Sequence, residues 1–438
     1  MSIGTVAPPT FAFTAEGLEA FLAARNEPGW LVEQRRAAWE TFGRLSWPNQ
    51  RNEEWMRTDI RLFHLDQFVA GGPSTEECPA PALSHGVELA GQSISRNGRL
   101  DPTDLRDDLQ AKGVLFGSLE RLMAEHPDRL RPHLNRAFDP NYDRFAALHA
   151  AFWSGGTLLL VPRGVVIEQP LHTMSVLADH GVDLGRTLVI LEDGAEATLL
   201  SELRSPEQAA TGLHCGAVEL LVGRGAHLRY VSLQDWGHGV WHFSHQKALV
   251  DRNASIQWTI GALGSRLAKV NQHVALVGEG AQSQVNGVMF TEGQQHLSYH
   301  TLQHHRAANC TSDFLYKAAL QDRSRTVWRG MIKVDKGAQK TDGYQRNDNL
   351  MLSTHARADS IPGLEIEADD VRCTHGSTSG RVDEELIFYA RSRGYTRKEA
   401  IQMIVAGFFQ QIFDRITIPS VREALGTTIA QRVREVGP

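Results

Sequence analysis

Between Gly156 and about residue 380 the apolar positions fall in short runs that alternate with polar ones, each run broken by a similar tight turn. Six of these turns align: ILEDGA ending at Ala195, LVGRGA at Ala226, LVDRNA at Ala254, LVGEGA at Ala281, LQDRSR at Arg325 and KVDKGA at Ala338. Their successive spacings are 31, 28, 27, 44 and 13 residues, so a value near 28 recurs and one is near half of it. Gly or Asn supplies the left-handed residue that such corners need. A rung of this length cannot bury its apolar face alone, so rungs must stack. The pattern predicts a mainly β chain built on a parallel β-helix, a solenoid, in preference to a sandwich.

Outside that body the apolar period lengthens to that of helices. Leu18, Phe21 and Leu22 share one face behind Thr14, a candidate N-cap, and Pro28-Gly29 ends that helix. A second helix carries Trp30, Leu31, Ala38 and Phe42 and stops before Pro48. Shorter helices are expected over Ser118–Glu125 and Tyr142–Trp153, with a flexible loop around residues 71–82. After Gly394, Thr396 and Glu399 form a capping box. The helix they start presents Ile401, Ile404, Val405, Phe408, Phe409, Ile412 and Phe413, and Ser420 with Glu423 is read as the cap of a last helix. The expected organisation is a helical and mixed cap over 1–155, the solenoid over 156–380 and a helical tail over 381–438.

Composition narrows the function classes. A chain of 438 residues exceeds one ordinary core. A net charge of −6 argues against bulk nucleic-acid binding. Cys78, Cys215, Cys310 and Cys373 stand singly, with no Cys-x-x-Cys pair and no disulfide framework, which suits a reducing compartment. The first ten residues carry neither the charged nor the apolar region of a signal peptide, and no apolar run approaches the ~20 residues that span a bilayer. The expected location is cytoplasmic, away from membranes. There is no GxxxxGK[ST] phosphate loop, no GxSxG elbow and no flavin fingerprint, so no ATP site is expected and flavin binding is left open.

The candidate chemistry sits in Cys373-Thr374-His375-Gly376. Two-residue alternation puts Val371, Cys373 and His375 on one face of a strand. Thiolate and neutral imidazole both hold iron or zinc. Two ligands make half of a closed four-ligand site, and the competing reading is a buried small hydrophobe beside a turn residue. His296, His300 and His304 also share a face, read as a polar ladder on the outside of the solenoid, with His305 next to them. His242 and His245 read as structural, and Asn347, Asp348 and Asn349 as turn residues.

The surrounding residues resemble the SufB/SufD family of iron–sulfur cluster assembly proteins. The matching pieces are Leu364-Glu365-Ile366, Asp369-Asp370-Val371, Cys373-Thr374-His375-Gly376, Asp383-Glu384-Glu385, Phe388-Tyr389 and Arg391-Ser392-Arg393-Gly394. Ala338 to Asp342, Asn349 to Ser353 and Arg51-Asn52-Glu53-Glu54-Trp55 with Arg57-Thr58 fit as well. His375 followed by Gly376, and the lack of a Cys-x-x-Cys pair, look more like the SufD branch; His149 stands where the family usually has Asn.

The resemblance implies a right-handed parallel β-helix with helical ends and a scaffold rather than an enzyme. It implies pairing with a SufB-like subunit through the region of Cys373, and that Ile401 to Phe413 includes the dock of a SufC-like ABC ATPase. It further implies transient iron, or a nascent cluster, handled at the shared interface, with His375 as the first ligand candidate and Cys373 as the second. A homodimer in the absence of SufB stays open. The alternatives are a SufB-like cluster carrier, a β-helix carbohydrate-active enzyme and a purely adhesive solenoid.

Overall fold

The computed structural model describes residues 9–25, 27–71 and 78–433. Two long parallel sheets face each other across a narrow lumen. In the first, strands beginning at Gly156, Arg186, Thr211, Gly239, Leu267, His296, Arg325 and Arg357 follow one another in order. In the second, the strands begin at Leu171, Glu196, His227, Ser255, Gln282, Thr311, Thr341 and Val371. The chain crosses from one sheet to the other and back on each turn, giving a parallel solenoid of eight turns among the described residues. Register pairs Trp241 with Leu267 and Arg325 with Arg357, so a turn takes between 26 and 32 residues.

The corner motif repeats more evenly than the sequence suggests. Gly194, Gly225, Asn253, Gly280, Asn309 and Lys340 all have φ between 53° and 73° and mark one corner of successive turns. Behind them Ala195, Ala226, Ala254, Ala281 and Cys310 stack with no exposure. The irregular spacings have two causes. The corner at Asn309-Cys310 carries Cys where the four before it carry Ala, so it goes unseen as a repeat. LQDRSR belongs to the opposite corner, where Asp322 takes φ 56°.

Both outer sheet faces are covered. The cap lies on the first sheet, where Phe21, Trp55, Phe63 and Phe145 pack on Trp241, Phe243 and Leu267. We call this the cap-side sheet. The tail lies on the second, where Ile401, Val405, Phe409, Ile412 and Phe413 pack on Val231, Val288, Phe290 and Leu315. This is the tail-side sheet. Gly261 lacks the Cβ that would stand 2.6 Å from a Leu425 methyl, which lets the last helix lie close on it.

The helices form largely as the pattern requires. Thr14 caps Ala15–Ala23, Ser118 caps Leu119–Glu125, Asp143 caps Arg144–Phe152, and Thr396 and Glu399 complete a capping box for Arg397–Phe413. Ser420 differs from expectation. The helix Pro419–Arg432 begins on Pro419, whose missing N–H suits that position, with Ile418 at the cap and no side-chain cap bond. The sheets also extend into the cap: Gly91–Arg96 pairs parallel with Leu171–Val176, and Leu115–Ser118 pairs antiparallel with Gly156–Val161. The expected loop at 71–82 falls partly on 72–77, outside the described residues.

Candidate functional site at the open end of the solenoid

Among the described residues the two terminal strands, Arg357–Ile366 and Val371–Arg381, each pair on one side only. Their outer edges present unpaired backbone N–H and C=O groups, a template for a strand from another chain. Leu364 and Ile366 remain 39% and 40% exposed, because no further turn covers them. The solenoid therefore ends in an uncovered mouth.

Cys373 and His375 lie on the last strand, opposite Gly343 and Gln345 of the turn below. Cys373 is half-buried, and with Val371 it packs against Ile332, Val334, Ala338 and Ala368. A methyl on Gly343 would stand only 3.3 Å from its sulfur, so glycine there leaves the thiol its room. Burial pushes the Cys373 thiol up; a backbone hydrogen bond at Gly343 opposes this and the charge of Asp342 adds to it. His375 shares the face of Cys373 by alternation, yet it is exposed. Both residues therefore lie on the last strand, the thiol half-buried and the imidazole exposed. Among the described residues no group of three or more His, Cys, Asp or Glu side chains stands close enough to enclose a metal ion. Thiolate and imidazole are donor types that suit a soft or borderline metal such as iron.

Beneath the mouth, Asn347 and Asn349 form a polar plug. They lie within the strand Thr341–Met351, not in a turn as the sequence suggested. Asn349 Nδ2 donates to Asn347 Oδ1 at 2.9 Å and to Ser379 Oγ at 3.2 Å. Asp348 accepts from Arg346 Nε at 3.0 Å and from Thr378 Oγ1 at 2.6 Å. These oxygens staple the last turns together, which accounts for them without a metal.

The other histidines take up structural places. His300 Nε2 meets Lys269 Nζ at 2.8 Å, and burial pushes the imidazole down to about 2. His304 Nε2 meets Asp335 at 2.8 Å, and His305 turns into the lumen onto Ser312 Oγ. His242 and His214 face each other through Nδ1 at 2.8 Å, and His245 meets Asp143 at 3.0 Å. His149 is fully buried and bonds the carbonyl of Cys215 through Nδ1.

The tail supplies a different apolar surface from the one its sequence suggested. Ile401, Val405, Phe409, Ile412 and Phe413 are buried within this chain, and Ile404 and Phe408 are half-buried. The side chains left in the open are Leu386, Phe388, Tyr389, Tyr395 and Met403, with Phe388 75% and Tyr389 59% exposed. A signal for this was available. The helix Glu384–Ser392 buries Ile387 alone, so its adjacent large apolar residues have no core to enter.

Two family models match the chain. One, described as the SufBD core domain of the SUF system for FeS cluster assembly, covers residues 175–408; the other, the SufBD protein N-terminal region, covers 19–173. The iron–sulfur cluster assembly protein SufB of Bacillus subtilis is 26% identical over 409 residues, spanning 91% of this chain and 88% of its own. An iron–sulfur cluster assembly SufBD family protein of Staphylococcus epidermidis is 28% identical over 401 residues, spanning 88% and 86%. One from Staphylococcus aureus is 25% identical over 398 residues, with the same coverage of both chains. With its eight-turn solenoid, helical ends and matches along nearly its whole length, the chain belongs to the SufBD family of iron–sulfur cluster assembly proteins.

Proposed function

We propose that this chain is a SufD-like scaffold subunit, not a catalyst, whose open solenoid end pairs with the matching end of a SufB-like subunit. The observation that carries the reading is the mouth itself. Two uncovered edge strands and a patch of Leu364, Ile366 and Val371 surround Cys373 and His375. A partner strand would satisfy the free edges and bury that patch. The same event would bring its ligands to the half-site. Iron or a nascent cluster is the cargo. His375, being exposed, meets it first, and Cys373 follows from its more sheltered position. Cys373 would bind as the thiolate, so loading its sulfur releases a proton.

The second partner in this reading is a SufC-like ABC ATPase. Its dock is the exposed face of Leu386, Phe388, Tyr389, Tyr395 and Met403, because the buried face of Arg397–Phe413 is occupied by the solenoid. The setting is cytoplasmic, which four free cysteines suit. No helix among the described residues is long and apolar enough to cross a membrane.

A SufB-like cluster carrier is the second reading, favoured by the relative of that name. Against it, Cys215 and Cys310 are buried and only Cys78 and Cys373 are within reach of a cluster. Co-expression with SufB-like and SufC-like partners, and purification through a tag on this chain, tests the reading. Recovery of both partners is expected, with Phe388→Asp losing the ATPase and keeping the SufB-like subunit. Recovery of neither partner would refute it.

A further inference from the structure

Where the cap meets the outer face of the cap-side sheet there is a groove of about 430 Å³. That size lies within the range of small-molecule sites, roughly 300–1,000 Å³. Strand register builds its floor. Lys247, His273, Leu302 and Met331 stand side by side on four successive strands. His245, Asn271, His300 and Arg329 form the adjoining row. Phe138, Tyr142 and Glu54 of the cap make the wall.

Most charges here are matched. Lys333 pairs with Glu365, Arg329 with Glu53, and the Tyr142 hydroxyl donates to the Glu54 carboxylate at 2.9 Å. Among the lining cations Lys247 is the exception: it has no ion pair among the described residues, and burial, with Arg306 nearby, holds its pKa below the usual lysine range against the opposing charges of Asp139 and Glu219. Beside it, burial and the charge of Lys247 keep His273 well below the ordinary histidine range, and His273 Nε2 is buried without a partner. Half-buried charges and buried polar atoms without partners are costly, and a ligand that supplies them is favoured.

We propose that this groove binds a small organic carboxylate, its acid group on Lys247 beside His273 and its apolar body against Leu302, Met331 and Phe138. The lining tolerates a single negative charge at most: Lys247 has no ion pair, while the Glu54 and Asp139 carboxylates on the wall repel any further negative charge. A phosphate dianion fits this balance less well than a carboxylate. The inference does not depend on the family or on the mouth.

Isothermal titration of the full chain with 3-phenylpropionate, 3-phenylpropionamide and phenyl phosphate tests it. The acid is expected to bind about tenfold or more tighter than the amide, the loss corresponding to ~1.4 kcal/mol or more. Lys247→Met should bring the acid down to the level of the amide, whereas Lys336→Met, on the exposed surface, should change nothing. Unfolding midpoints confirm that each variant is folded, and Lys247→Gln replaces Lys247→Met if the latter is not. The proposal is overturned if acid and amide bind alike or if the Lys247 variant binds as wild type. It is also overturned if phenyl phosphate binds tightest, or if the acid shows no saturable binding at about 10 mM, where a millimolar site is mostly filled.

Discussion

The two ends of the solenoid are made from the same kind of turn and finished in opposite ways. At the first end, Gly156–Val161 is buried along its whole length. Leu115–Ser118 closes its free edge and the cap helices cover its face. At the last end, Arg357–Ile366 and Val371–Arg381 have no neighbour beyond them among the described residues, and most of Val371–Arg381 is exposed. A stacked fold needs a cap wherever it must remain soluble alone. In the proposed reading a partner completes the uncapped end, and the thiol and imidazole lie there.

Glycine substitutions separate the two ends most widely. Gly156 has φ +97°, and a Cβ there would stand 2.0 Å from the Arg186 carbonyl oxygen, so Gly156→Ala forces the first turns apart. It should cost more than about 4 kcal/mol, at the exceptional end for a point change. Gly380, on the last strand, has nothing within 4 Å of its missing Cβ. Gly380→Ala should lie within ~0.5 kcal/mol of wild type. Chemical denaturation reads both, and equal losses would break the comparison.

Leucines repeat the contrast on a smaller scale. Leu159 faces the lumen at the closed end with no exposure, and Leu159→Ala should cost roughly 2–5 kcal/mol. Leu364 faces the mouth, and Leu364→Ala should cost under ~1 kcal/mol in the isolated chain while weakening capture of the SufB-like partner. A large stability loss with unchanged partner capture would make Leu364 an ordinary core residue.

The sheltered junction under the cap should reveal itself through pH. Burial pushes Lys269 down to about 7, with Glu54 opposing the shift; its Nζ touches the Glu54 carbonyl and His300 and lies over the Trp55 ring. The unfolded lysine titrates near 10.4. Between these values the unfolded chain holds the extra proton, so stability rises with pH from about 7 toward 10. The slope should approach ~1 kcal/mol per pH unit from this group and vanish in Lys269→Met. A wild-type slope that survives in the variant would assign it to other groups.

The solenoid was legible because its corners demand left-handed residues at regular intervals, and Gly and Asn are visible in a sequence. It became illegible where Lys340 or Asp322 took the same φ without that signature. The Cys373–His375 face was legible because strand alternation is local. The burial of Phe409 and Ile412 was not. Whether an apolar helix face meets a partner or its own chain depends on the sheet opposite, whose two buried sides read as continuous apolar runs. The groove at Lys247 was hidden for a related reason. Its walls and floor come from segments more than one hundred residues apart, joined only by register and by the cap.

The central claim is that the open end handles iron through His375. The most direct measurement is the visible sulfur-to-iron charge-transfer absorbance of the complex co-purified through this chain, for wild type and His375→Ala. The exposed position of His375 predicts full recovery of both partners, unchanged stability to within ~0.5 kcal/mol, and loss of the absorbance in the variant. An intact complex whose absorbance survives His375→Ala would contradict the assignment.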